Sequence, residues 1–134
     1  MKLLITCYVL LTLLLSSNAV FASVPSEELP ECIVTSHCIR VDWPVDDVEE
    51  SFMKVLQAVS RTPRTKIVEQ TGSYLHAEAK TKWMRYTDDL LIKALPAQGI
   101  LQVRSESRVG IGDNGVNKKR VDDLAYRLMT DQIS

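Results

Sequence analysis

Between Thr65 and Val109 the apolar residues recur at every second position, and on either side of that stretch they recur at every third and fourth. Period two suits extended chain with one buried face, whereas three-and-four spacing suits a helix with one apolar stripe. A chain carrying both in separate blocks must cover one face of a sheet with helices. The expected fold is therefore α+β: a four-stranded antiparallel meander sheet, flanked in sequence by an N-terminal and a C-terminal helix. The strands are expected over 65–70, 74–80, 84–95 and 100–109, with turns at Thr71-Gly72-Ser73 and Pro96-Ala97-Gln98-Gly99. Leu75, Ala77 and Ala79 give one of them a small apolar face.

The first helix is marked by Val48, Phe52, Val55, Leu56 and Val59, and Arg61-Thr62-Pro63 ends it. Asp46 followed by Glu49 has capping-box spacing, and Asp47 and Glu50 add acid where the helix dipole favours it. The last helix carries Val121, Leu124, Ala125 and Leu128, with Asp113 or Asn114 as its cap. Its first turn holds Lys118, Lys119 and Arg120, where the dipole disfavours cations. Something in the fold must offset that conflict.

The chain opens with Met1-Lys2, an apolar run from Leu3 to Leu15, a polar break at Ser16-Ser17-Asn18, and Val20-Phe21-Ala22. That order is a secretory signal with cleavage after Ala22, so residues 1–22 are set apart from the folded domain. The rival is a retained anchor, since no charge occurs from Leu3 to Ala22. Cys7 lies inside the apolar run and cannot serve as a lipoprotein cysteine. Residues 23–45 carry Pro25, Pro30 and Pro44 without a sustained period and are expected to form an extended arm. Residues 46–134 then form a single α+β domain. With Cys7 removed, Cys32 and Cys38 remain as a pair, which in an exported chain reads as a disulfide tying down the arm. Free thiols or a metal using the adjacent His37 are the alternatives, but the cysteine spacing is not one zinc uses, and no metal or cofactor is expected. Export to the periplasm follows from the leader.

Charge excludes one class of partner. The 134 residues hold 16 Lys and Arg against 17 Asp and Glu, too acidic a balance for a nucleic-acid binder. The basic run Lys118-Lys119-Arg120 is too short to act alone on nucleic acid or on a lipid surface. Membrane contact is expected only through an uncleaved leader.

The functional signal lies in the last strand and the loop after it. Alternation places Arg104, Glu106 and Arg108 on one strand face, with Ser105 and Ser107 on the other. Gly110, Gly112 and Gly115 then turn the chain into a helix start whose free N–H groups can meet an anion. The spacing matches neither a phosphate loop nor a dinucleotide fingerprint. Arg104, Arg108, Asn117, Lys118 and Arg120 are the candidate ligand contacts. Asp88 and Asp89 interrupt an apolar strand, and alternation sends them to opposite faces, so at least one needs a buried partner. The competing expectation is a structural latch of Asp88, Asp89, Arg104, Arg108 and Arg120, joining the sheet to the last helix.

Met84-Arg85-Tyr86-Thr87-Asp88-Asp89, the strand Val103 to Gly110, and the segment Asp113 to Val121 closely resemble the domain of unknown function 1499 family. Pro30-Glu31-Cys32, Pro63-Arg64-Thr65 and Tyr74-Leu75-His76-Ala77-Glu78 extend the resemblance over nearly the whole mature chain. It implies a small exported or membrane-attached protein of a kind found in bacteria, with chloroplast relatives and no established activity. Relatives often carry an aromatic at the position of Ile111 and a hydrophobic residue at that of Asn114.

No catalytic residue is assigned. Ser105 and Ser107 lack a nucleophile elbow, and His76 with Glu78 is ordinary alternation of exposed strand polars. Trp43 and Trp83 are read as anchors of the arm and of a strand start. The leading expectation is a non-enzymatic binding or accessory module whose helix start takes a small anion or an envelope protein's carboxylate. A hydrolase-like enzyme built on Asp88, Asp89 and Ser105 is the alternative, as is a purely structural envelope protein.

Overall fold

The computed structural model of the chain describes residues 28–110 and 112–130. The expected leader over residues 1–22, residues 23–27 of the arm, and Ile111 lie outside the described residues. The elements run β1 (Cys38–Pro44), α1 (Val48–Ser60), β2 (Thr65–Gln70), β3 (Tyr74–Lys80), β4 (Thr87–Leu95), a 3₁₀ turn (Pro96–Gln98), β5 (Ile100–Ser107) and α2 (Val116–Thr130). All neighbouring strands are antiparallel, in the order β1-β5-β4-β3-β2.

The class is α+β, but the sheet has five strands rather than four, and the first helix lies between β1 and β2 rather than ahead of every strand. Part of the expected arm is β1, paired along its length with β5 from Cys38 opposite Glu106 to Pro44 opposite Ile100. Pro44 disguised it, yet an edge strand tolerates proline at its end because one side of the backbone needs no ladder partner. Ile39, Val41 and Trp43 pack towards the core, alternating with Arg40 and Asp42.

Two strand ends also differ from expectation. β4 begins at Thr87, not Met84, because Arg85 takes φ 54° and the chain from Thr81 to Tyr86 closes on itself. There Thr81 N–H donates to the Tyr86 carbonyl at 2.9 Å, and Tyr86 N–H donates to Thr81 Oγ1 at 2.9 Å. β5 ends at Ser107, shortly before Gly110 turns the backbone with φ 110°. At α1, Asp47 rather than Asp46 is the cap, its Oδ1 accepting from Glu50 N–H at 2.8 Å.

Both helices cover one face of the sheet. Phe52, Val55 and Val59 of α1 and Val121 and Leu124 of α2 are buried against Leu75, Ala77, Leu90, Ile92, Leu101 and Val103. The other face is polar. At its β1–β5 side it is crossed by the chain around Leu29, whose N–H donates to the buried Gln102 Oε1. Arg40 holds this strap through Glu28, at 2.8 Å, and Glu31. Cys32 and Cys38 are disulfide-bonded with Cα atoms 5.6 Å apart, fixing the strap to the start of β1.

Candidate functional site

Asp88 and Asp89 fall on opposite faces of the sheet, and each organises a separate set of partners. On the helix-covered face, Asp88 is 0% exposed and its Oδ2 accepts from Arg120 Nη2 at 2.7 Å. Arg120 Nη1 also donates to Ser105 Oγ at 2.9 Å and to Asn117 Oδ1 at 2.8 Å. Asn117 is buried at the first turn of α2, where its Nδ2 meets Ser107 Oγ at 2.8 Å, Asp113 Oδ2 at 2.7 Å and the His37 carbonyl at 3.2 Å. Strand β5, the chain entering β1 and the start of α2 are thus joined through one amide.

The polar face carries the second set. Arg108 grips Asp89 with Nε and Nη2, at 2.8 and 2.7 Å, and its Nη2 reaches Glu78 at 2.6 Å. His76 Nε2 lies 2.7 Å from Asp89 Oδ1. The Arg108 hydrogen bonds, working against burial and assisted by His76, hold the Asp89 carboxyl below the usual carboxylate range. Arg104 pairs with Glu106 at 2.6 Å on this same face. The expected latch residues therefore divide into two groups separated by the sheet. The five candidate ligand contacts divide with them: Arg104 and Arg108 lie across the sheet from Asn117, Lys118 and Arg120.

The cation conflict at the start of α2 is resolved locally. Lys118 pairs with Asp122 at 2.5 Å and Lys119 with Asp123 at 2.6 Å, each one turn along, while Arg120 turns inward to Asp88. Asp113 caps the helix, accepting from Asn117 N–H at 3.0 Å and Gly115 N–H at 2.9 Å. Burial raises the cost of its charge, but the Asn117 and Gly115 hydrogen bonds outweigh that and lower its carboxyl pKa. The helix start already holds a carboxylate, so its own N–H groups are not the open feature here.

The open feature is a cleft beside it. A hollow of about 500 Å³ lies between the 81–86 loop, Val109 and Gly110, residues 112–116 and the first turn of α2, with Asp88 in its lining. A second hollow of about 260 Å³ continues from it between the end of α1 and α2, sharing Arg64, Lys80, Val116, Lys119 and Arg120 as walls. Six cations line the two together: Arg64, Lys80, Lys82, Lys119, Arg120 and Arg127. Among the described residues, Asp88, Asp113 and Asp123 are the acids that oppose them in the lining. The rim carries exposed apolar groups, with Trp83 85% exposed rather than anchoring a strand, and Met84, Tyr86 and Val109 near it. Among the described residues, the non-glycine positions with positive φ are Arg64, Arg85 and Asn114. The first and last line the cleft, and the second lies in the loop that walls it. Strained backbone gathered at one place is a feature of binding sites.

Residues 16–128 match the model of a protein family of unknown function, DUF1499. The chain belongs to the DUF1499 family. No curated protein matches it at a significant level. The family match takes in both halves of the cleft, from Arg64 to Arg127. Most of those walls escaped sequence reading, since Arg64, Lys80, Lys82 and Arg127 are isolated cations in separate elements. The one local clue was Lys82-Trp83-Met84-Arg85, an apolar pair between cations in a stretch with turn character.

Ser105 is 0% exposed and donates its hydroxyl to Asn117 Oδ1 at 2.6 Å. That geometry makes it a tie between β5 and α2 and lends no support to a nucleophile. Among the described residues no group of three His, Cys, Asp or Glu side chains could hold a metal ion.

Proposed function

We propose that this DUF1499 protein is an exported, non-enzymatic binding module that takes a small anionic ligand in the cleft beside the start of α2. The observation that carries this reading is the convergence of six cations on one concavity in a chain of net charge −1. Six cations against three carboxylates leave the lining net positive, and a concave net-positive surface concentrates the opposite ion. The anion site moves from the helix N–H groups, which Asp113 satisfies, to the side chains flanking them.

Titration calorimetry with inorganic phosphate at low salt tests it. Saturable binding that weakens as salt rises is expected. The double variant Arg64→Gln/Lys119→Gln, at two solvent-facing positions, should lose about tenfold in affinity, or about 1.4 kcal/mol, while melting close to the wild type. Absence of saturable binding, or binding indifferent to both substitutions, would remove this reading and leave the structural-protein alternative.

Export is part of the same proposal. The Cys32–Cys38 disulfide supports it, because such bonds persist in oxidising compartments. Expressed at full length in a secreting host, the protein should be recovered from the periplasm with Ser23 as its first residue. Intact mass should show two hydrogens fewer than the reduced mature chain. A product that retains Met1 in the membrane fraction would instead mean an anchor.

A further inference from the structure

We infer that the anion taken by this cleft is carried on a sugar, so that the ligand class is a sugar phosphate or an acidic sugar. The inference rests on the anion reading above and adds what the remaining walls select. Asp88 is the key. One carboxylate oxygen is held by Arg120 at 2.7 Å, while the other, Oδ1, is buried and has no hydrogen-bond partner among the described residues. Leaving a buried acceptor unpaired costs about 1–3 kcal/mol, which a ligand donor recovers on binding. Asp88 belongs to the lining of the larger hollow, with Oδ1 itself closed to solvent, so a ligand donor that meets this oxygen must take the place of the side chains covering it.

The surroundings choose among donors. Arg120 already neutralises Asp88, and Lys80 and Lys119 line the same hollow, so a ligand ammonium would be repelled. A neutral hydroxyl is not. On the rim stand Trp83, 85% exposed, and Tyr86, 42% exposed, both lining the larger hollow. Lys82 Nζ lies 5.2 Å from the Trp83 ring centroid, placing an anion-attracting charge beside the aromatic surface. An aromatic ring, a carboxylate acceptor and a cation in one concavity match three parts of a single molecule: the C–H face of a sugar ring, its hydroxyls and its acidic group. The wall at Gly110, Gly112, Asp113 and Asn114 is glycine backbone and polar side chain, suited to a rim of hydroxyls rather than to the dry slot a flat base needs. The volume of about 500 Å³ is within the range of small-molecule sites.

Calorimetry of the mature protein with glucose 6-phosphate, glucuronate, AMP and inorganic phosphate is the test, run beside Trp83→Ala. Glucose 6-phosphate or glucuronate is expected to bind at least about tenfold more tightly than phosphate. Trp83→Ala should abolish that excess while phosphate still binds saturably and the protein stays folded, since the exposed ring supports no core contact. Equal affinity for phosphate and both sugars overturns the sugar assignment while the anion reading stands. AMP binding more tightly than either sugar overturns it in favour of a base, and an excess that survives Trp83→Ala overturns it as well. If neither phosphate nor any sugar binds, both readings fall together.

Discussion

Arg120→Ala is expected to be among the most damaging single substitutions outside the apolar core, lowering stability by about 3–5 kcal/mol. The cost does not arise from the worth of the ion pair, which desolvation largely cancels. It arises because Asp88, 0% exposed, would lose the Arg120 guanidinium that pairs it, and because Ser105 and Asn117 would each lose a donor. For a domain of this size the melting temperature should fall by on the order of 15 °C. Urea unfolding at pH 7 gives the direct reading. The double replacement Asp88→Leu/Arg120→Met should recover most of the loss, as removing both buried charges is far less costly than removing one. A fall below about 1 kcal/mol for Arg120→Ala would place the pair among solvent-screened surface contacts and would contradict the burial of Asp88.

The same pair marks how far the sequence could be read. Alternation along β4 was enough to send Asp88 and Asp89 to opposite faces and to demand a buried partner for at least one of them, and the cation-rich first turn of α2 was enough to show a conflict that something in the fold must offset. Which arginine meets which aspartate was not legible, because it depends on strand register: Asp88 lies opposite Ser107 and Asp89 opposite Glu106. A local pattern yields faces, and only pairing yields neighbours. Strand β1 escaped for a different reason. Its three inward residues are separated by Arg40 and Asp42 and end at Pro44, so the signal is short and carries a residue disfavoured in strands. It becomes a strand because β5 offers a free edge and the disulfide holds its first residue in place. The cleft was the least legible part. Its cations come from the end of α1, the β3–β4 hairpin and α2, so no window of sequence contains them together. The exposure of Trp83 is likewise no local pattern: the residue lies in the turn that precedes β4, where Arg85 takes a left-handed conformation and the strand starts only at Thr87.

Asn117 offers the sharper test of the buried network, because an isosteric change should be at least as harmful as a truncation. Its Nδ2 has two hydrogens and three acceptors within reach, in Ser107, Asp113 and the His37 carbonyl, while its Oδ1 accepts from Ser105 and Arg120. Asn117→Ala removes these bonds and should cost on the order of 3 kcal/mol. Asn117→Asp keeps the shape but turns the donor end into an acceptor, facing the Asp113 carboxylate that lay 2.7 Å from the amide. At pH 7.5 it should therefore be no more stable than Asn117→Ala, whereas mere space-filling by the side chain predicts near wild-type behaviour. The two accounts also differ in pH dependence. The introduced carboxyl, buried and facing the Asp113 carboxylate, has its folded-state pKa raised above the unfolded value of about 3.9, because the Arg120 charge on its other side is already paired with Asp88. A group shifted upwards gives its full stability below the unfolded pKa and loses it as pH rises through the folded pKa. Asn117→Asp should accordingly close part of its gap to the wild type between pH 7.5 and pH 4.5, while the gap for Asn117→Ala stays constant. Parallel curves for the two variants would mean that the amide is not held against Asp113, and that the chain entering β1, β5 and α2 are joined by packing alone.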